Sequence, residues 1–125
     1  MKKTHWYSNS WSEFEVQSLA YSILRKQLYP EFLVRGEFSF DYKILKQDFP
    51  GTAKGCRIDI CIFKPWFGDT PPEPVLLIEV KKGDKSISEA QGKRYSTLIG
   101  VPCLYIRGQK DAYNVLDLVR PYLYK

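Results

Sequence analysis

The sequence predicts an α/β domain built on a central mixed sheet of four strands, in α-β-β-β-α-β order, flanked by helices and followed by a C-terminal helix. Three observations lead there. Apolar runs of strand length recur through the middle of the chain, amphipathic stretches stand before and after them, and the last two runs are far enough apart for a crossover helix. At 125 residues the chain suits one domain, spanning residues 1–125. Its 44% hydrophobic and 15% aromatic content exceeds what disordered chains carry, so it folds around a core of its own.

Residues 1–9 are polar and aromatic without period and read as a tail or a lid. A helix follows, for which either Ser10 with Glu13 or Ser12 with Glu15 can supply the capping box. Val16, Leu19, Ala20, Ile23 and Leu24 then share one face, down to Tyr29 and Pro30. At about 100° per residue Glu13 falls in line with Val16 and Ala20 while Glu15 lies near the edge, which favours Glu13 as the acid that looks inward and leaves the choice between the two open. Either glutamate would also complement the helix N-terminus.

Glu31 to Phe40 gives the first strand, with Phe38 and Phe40 on one side, Glu37 and Ser39 on the other, and Gly36 as the place for a bulge. Residues 41–56 hold Pro50, Gly51 and Gly55 and form a long connection; Gly51 to Gly55 is not a phosphate loop, because the Lys-Ser/Thr pair is missing. Arg57 to Phe63 is the second strand, read with Ile58, Ile60 and Ile62 on one face and Arg57, Asp59, Cys61 and Phe63 on the other. The loop from Lys64 to Pro74 leaves no room for a crossover helix, so the next strand returns antiparallel. At its tip, Trp66 and Phe67 suit an ordinary packed loop or a wedge into a duplex groove.

The third strand, Pro74 to Lys82, is aliphatic enough to be buried on both faces, yet it carries Glu79. Ser86 to Ile99 reads as a helix with Ser86 and Glu89 as its capping box and Gly100 as a left-handed stop. Pro102 to Arg107 is the fourth strand, parallel to the third by right-handed crossover. The last helix takes Asp111 as N-cap, turns Val115, Leu118 and Val119 inward and ends at Pro121.

A turn centred on Asp69 sets residues whose numbers sum to 138 opposite each other, which brings Asp59 to face Glu79 and Arg57 to face Lys81. Facing carboxylates with Cβ atoms ~4.5–5.5 Å apart repel unless a cation lies between them. One solution is a divalent-metal site: oxygen ligands suit Mg²⁺ or Mn²⁺, which leave positions for water and phosphate. Lys81 then reaches the same phosphate. The other solution is a cross-strand ion-pair ladder of Arg57, Asp59, Glu79 and Lys81 with no metal.

Asp59, nineteen residues, then Glu79-Val80-Lys81, followed by Gln91 and Tyr95 one helical turn apart, resembles the signature of the PD-(D/E)XK nuclease superfamily, the restriction-endonuclease-like fold. Within it, RIDICIF, LLIEVKKG and QGKRYSTLIGVPCLYIRG look most like the N-terminal nuclease domain of type I restriction enzyme motor subunits and its stand-alone relatives. Ile58 stands where the superfamily name has proline, and no helicase motor is present. The resemblance implies a metal-dependent endonuclease acting on DNA, with RNA left open. Asp59, Glu79 and the Val80 carbonyl would hold Mg²⁺ or Mn²⁺, Lys81 would assist catalysis, Gln91 would help hold the site, and Glu13 would be the first-helix acid. Tyr95 and Arg57 would support them. A non-catalytic module binding nucleic acid or protein on the same fold is the alternative.

Charge and composition narrow the rest. The balance of 19 Lys+Arg against 14 Asp+Glu, a net +5, permits a polyanionic partner. Lys82, Lys85, Lys93 and Arg94 follow the acids and suit phosphate contacts or a solvated basic face. Cys56, Cys61 and Cys103 have no CxxC spacing and read as small core residues of a reducing compartment; with only His5 besides, a zinc site is not expected. His5 is too isolated for a general base. Without a signal-like or membrane-spanning apolar run, the expectation is a soluble, cytoplasmic protein with no membrane partner. Cutting both strands of a duplex takes two sites, which a homodimer would supply, and no residue of the sequence by itself requires one.

Overall fold

Helix α1, Glu13–Leu28, begins at Ser12, whose hydroxyl accepts the Glu15 N–H at 3.2 Å while Glu15 Oε1 accepts the Ser12 N–H at 2.8 Å. Of the two capping boxes the sequence offers, this is the one described, and it commits Glu15 to the cap. The computed structural model describes residues 11–40, 56–65, 73–81 and 100–124. The N-terminal tail with Ser10 and His5, the long connection, the hairpin tip with Trp66 and Phe67, and the expected Ser86–Ile99 helix lie outside the described residues. So do Gln91, Tyr95, Lys82, Lys85, Lys93 and Arg94.

Strands β1 (Leu33–Phe40), β2 (Cys56–Phe63), β3 (Pro74–Lys81) and β4 (Cys103–Arg107) form one mixed sheet in the order β1-β2-β3-β4. β1 with β2 and β2 with β3 are antiparallel, and β3 with β4 is parallel, as the loop lengths require. Helix α2, Gly108–Tyr113, and helix α3, Val115–Leu123, close the described chain, making an α/β fold with three helices among the described residues. No helix among the described residues is long and apolar enough to cross a membrane.

The main core lies between the sheet and these helices. Val16, Ala20, Leu24 and Leu28 of α1 meet Ile60, Ile62, Leu76, Ile78 and Val80, with Val115 and Val119 of α3 alongside. Burying such side chains stabilises the fold by about 1.5–3 kcal/mol each. A second cluster, Ile58, Cys61, Phe63 and Leu77, occupies the other face of the sheet, where Phe38 meets Phe63 edge to face. β3 is buried from Leu76 through Val80, as its aliphatic run predicts.

Several expectations are corrected. The sequence placed Ile58 with Ile60 and Ile62, but Ile58 packs with Cys61 and Phe63. The alternation of β2 therefore reverses at Asp59. β1 reverses at the facing residue: Gly36 pairs with Ile60 and Phe38 with Ile58, while Glu37 and Asp59 do not pair. Both flanking pairs keep the same register, so no residue is inserted, and the irregularity is Glu37 at φ 48° rather than a bulge at Gly36.

The C-terminal helix is two helices sharing Asn114 as cap. Gly108, at φ 73°, turns the chain straight from β4 into α2, so Asp111 lies inside the first turn and reaches back to accept the Arg107 N–H at 2.7 Å. Pro121 sits inside α3 instead of ending it, and the Tyr124 N–H still reaches the Arg120 carbonyl at 3.0 Å. Gly100 takes φ 87°, the left-handed conformation expected of a stop.

The location of the irregularity is testable by urea denaturation. A Cβ at Gly36 would meet the Tyr21 ring at 3.5 Å, an ordinary contact. Gly36→Ala is therefore expected to be neutral or to stabilise by up to about 1 kcal/mol. Glu37→Val is expected to be less stable than Glu37→Asn by about 1–2 kcal/mol, because asparagine tolerates a left-handed backbone and a β-branched residue does not.

Candidate active site

Between β2 and β3, Ile62 faces Leu76, Cys61 faces Leu77 and Ile60 faces Ile78, the register expected from a turn about Asp69. Nearer the turn it shifts by one, and Phe63 pairs with Pro74 rather than Val75. At the other end the backbone ladder stops at Ile60 and Ile78. One step further, where Asp59 and Glu79 stand, side chains replace it. The Asp59 N–H donates to Glu79 Oε2 at 3.1 Å, and the Val80 N–H donates to Asp59 Oδ2 at 2.8 Å. Each carboxylate thus accepts a backbone N–H of the opposite strand, and the two acids are locked side by side. From α1, Gln17 Nε2 donates to the Asp59 carbonyl at 3.2 Å and holds the same residue from the helix side.

Glu79 is only 4% exposed. Burial, with the charge of neighbouring Asp59 and a smaller contribution from Glu13, pushes its carboxyl up to about 7, against the Asp59 N–H and Lys81, which favour the ionised form. Asp59 is raised as well, first by burial and then by Glu13 and Glu37, against the Val80 N–H and Lys81. Cys103, half-buried at the position beside Leu77, has its thiol pushed up to about 12 by burial and by the same two acids.

Glu13 is the first-helix acid whose charge reaches the pair, and Glu15 is held in the cap. Lys81 lies two residues past Glu79, half-buried, and its charge favours ionisation of both acids. The Arg57–Lys81 facing expected from the register falls beyond the end of the ladder, and Arg57 instead lies 3.9 Å from Glu37 on the solvent side. The ion-pair ladder of Arg57, Asp59, Glu79 and Lys81 is therefore not the arrangement adopted.

Three residues at this end of the sheet were not singled out by the sequence. Gln17 lies four residues after Glu13 on α1, so helical spacing alone could have placed it beside the same target. Glu37 stands opposite Asp59 across β1 and β2, a position that needed the β1 register. Arg107 is the parallel partner of Lys81 on β4 and brings a second cation to that end of the strands.

Among the described residues no three His, Cys, Asp or Glu side chains group as ligands for a metal ion. The donors the sequence suggests, the Asp59 and Glu79 carboxylates with the Val80 carbonyl, are all oxygen, a chemistry that would suit Mg²⁺ or Mn²⁺. Two buried acids held side by side by backbone N–H groups can share a proton or take up a hard cation. Compared with known proteins, the chain matches no family model, no curated protein and no solved structure.

Burial of Glu79 fixes a pH signature in EDTA. Folded Glu79 keeps its proton up to about 7 whereas the ordinary value is 4.5, so across that window the folded state binds more protons than the unfolded one. The stability this gives is fully present below the lower value and is lost as pH rises through the upper. Glu79→Gln should flatten that slope and, at pH 8, exceed the parent in stability by on the order of 2 kcal/mol. Equal slopes for parent and variant in urea denaturation from pH 5 to 8 would refute it.

Proposed function

We propose that this chain is a metal-dependent nuclease of the PD-(D/E)XK type, with a restriction-endonuclease-like fold, that hydrolyses phosphodiester bonds of DNA. The observation that carries the reading is the Asp59–Glu79 pair, reciprocally bonded across β2 and β3 with Lys81 at the end of the same strand. Asp59, Glu79 and the Val80 carbonyl would hold Mg²⁺ or Mn²⁺. When bound, the cation supplies positive charge against the phosphodiester and acidifies the attacking water.

The remaining work falls to the chain itself. The crossed N–H bonds fix both carboxylates before substrate arrives, so little reorganisation is left for the reaction. Gln17 positions Asp59 through its backbone. Lys81 places an ammonium where charge develops on the scissile phosphate, and Arg107 beside it neutralises a neighbouring phosphate. Glu13 adds negative charge that strengthens the hold on a cation. Gln91 and Tyr95 would support the site, and Lys82, Lys85, Lys93 and Arg94 would bind the DNA backbone. The protein would act in the cytoplasm, as a homodimer where both strands are cut.

Plasmid nicking in Mg²⁺ tests the assignment. Asp59→Ala and Glu79→Ala are each expected to lower the rate by about 10²-fold or more, and Lys81→Ala by about 10²–10³-fold with DNA affinity kept. An Asp59→Ala protein that nicks at the parent's rate, purified alongside it, sinks the proposal. A folded parent that binds DNA yet takes up no Mn²⁺ in calorimetry with DNA present would replace the nuclease with a binding module.

A further inference from the structure

The backbone of Asp59 is held by side chains on two sides. Its N–H donates to Glu79 Oε2 on β3 at 3.1 Å, while its carbonyl accepts Gln17 Nε2 from α1 at 3.2 Å. In a regular antiparallel strand the N–H and C=O of one residue point to the same neighbouring strand, and a hydrogen-bonded pair exchanges both. At Asp59 the two groups diverge, one to β3 and one to the helix layer. Its carboxylate in turn accepts the Val80 N–H at 2.8 Å, so the whole arrangement depends on how this one residue is set.

The strand that competes for those groups is β1. Gly36 pairs with Ile60 and Phe38 with Ile58, which puts Glu37 at the step facing Asp59. From Leu33 to Phe40 the pairing is broken at that step alone. Glu37 there has φ 48°, and it is the only non-glycine residue at positive φ among the described residues. Glutamate, unlike glycine, has no intrinsic ease in a left-handed backbone. An extended residue at this position would favour an even pleat, in which Asp59 joins the β1 ladder and its N–H and carbonyl turn to one neighbour.

The side chain of Glu37 does not account for the position. It lies 3.9 Å from Arg57, and with side chains 54% and 68% exposed such a pair stabilises little. Its charge also opposes ionisation of Asp59. What the position contributes is its backbone, and a sparsely populated conformation persists where its surroundings over-determine it.

We infer that the left-handed backbone of Glu37 is a positioning device for Asp59: it breaks the β1–β2 ladder at one step, so that the Asp59 N–H serves Glu79 and the Asp59 carbonyl serves Gln17. The Glu37 carboxylate is not needed for this. What Asp59 then does rests on the nuclease reading, but its placement stands apart from it.

Native-state amide exchange in EDTA, read by NMR, follows the placement directly through the Asp59 and Val80 N–H groups. In Glu37→Val both are expected to exchange at least about tenfold faster than in the parent, beyond any change shared by Ile60 and Ile78. Glu37→Gly, which takes a left-handed backbone freely, and Glu37→Gln, which removes only the charge, are expected to keep both within about threefold. Val119→Ala in α3, a destabilised control remote from the site, should shift all four amides together. In plasmid nicking with Mg²⁺, Glu37→Val is expected to lower kcat about tenfold or more with KM within about twofold, and Glu37→Gly to stay within about threefold of the parent. Parent-like protection of Asp59 and Val80 in Glu37→Val would overturn the assignment, and so would a loss in Glu37→Gly as large as in Glu37→Val, which would move the role to the carboxylate. A Glu37→Val protein that loses the protection yet keeps the parent's kcat would overturn it too. Selective loss of protection in Glu37→Val, in a protein whose parent does not nick, would leave the positioning standing and overturn the nuclease reading instead.

Discussion

Everything near Asp59 follows from the need to place a second carboxylate beside buried Glu79. Burying an ionised carboxylate costs several kcal/mol, by order of magnitude, and a neighbouring acid adds to it. A hydrogen bond to a charged group returns about 1.5–3 kcal/mol, so one described backbone N–H for each acid offsets only part of the cost. The carboxyl of Glu79 accordingly stays high, at about 7. The bonds that do this work are taken from the sheet. The Asp59 and Val80 N–H groups serve side chains, and the β2–β3 ladder ends at Ile60 and Ile78.

The same opening reaches the neighbouring strand. Asp59 has no ladder partner on β1 either, and there Glu37 takes a left-handed backbone that most residues avoid. Beyond that point β1 and β2 present the opposite parity to the helices, which is why Ile58 and Phe38 pack with Phe63. The left-handed residue and the reversal thus coincide with the acid pair.

Much of this was legible from residues alone. A turn symmetric about Asp69 gave the pairing of Ile60 with Ile78 correctly, because the buried strands tolerate no slip there, but it missed the one-residue shift that pairs Phe63 with Pro74. Helical angle favoured Glu13 over Glu15 without deciding between them; in the structure Glu15 is taken up by the Ser12 cap. The reversal at Asp59 was not legible, since counting by twos assumes an even pleat, and nothing in RIDICIF marks where the pleat breaks. Pro121 misled for a related reason. Proline disfavours a helix interior through its missing N–H and its ring, yet α3 is held by Val115 and Val119 packed in the core, and tertiary burial outweighs the local penalty.

Charge balance at the site explains why Lys81 is better read as an independent cation than as the partner that neutralises Glu79. Glu13, Asp59 and Glu79 put up to three negative charges within mutual influence, and Glu37 adds a fourth acting on Asp59. Lys81 favours ionisation of both acids, and burial outweighs it at each. Among the described residues, Arg57 is drawn to Glu37 and does not reach the pair. In the proposed chemistry a divalent cation would supply positive charge between the acids while Lys81 stays free to meet the phosphate, which is why that proposal assigns the two separate parts.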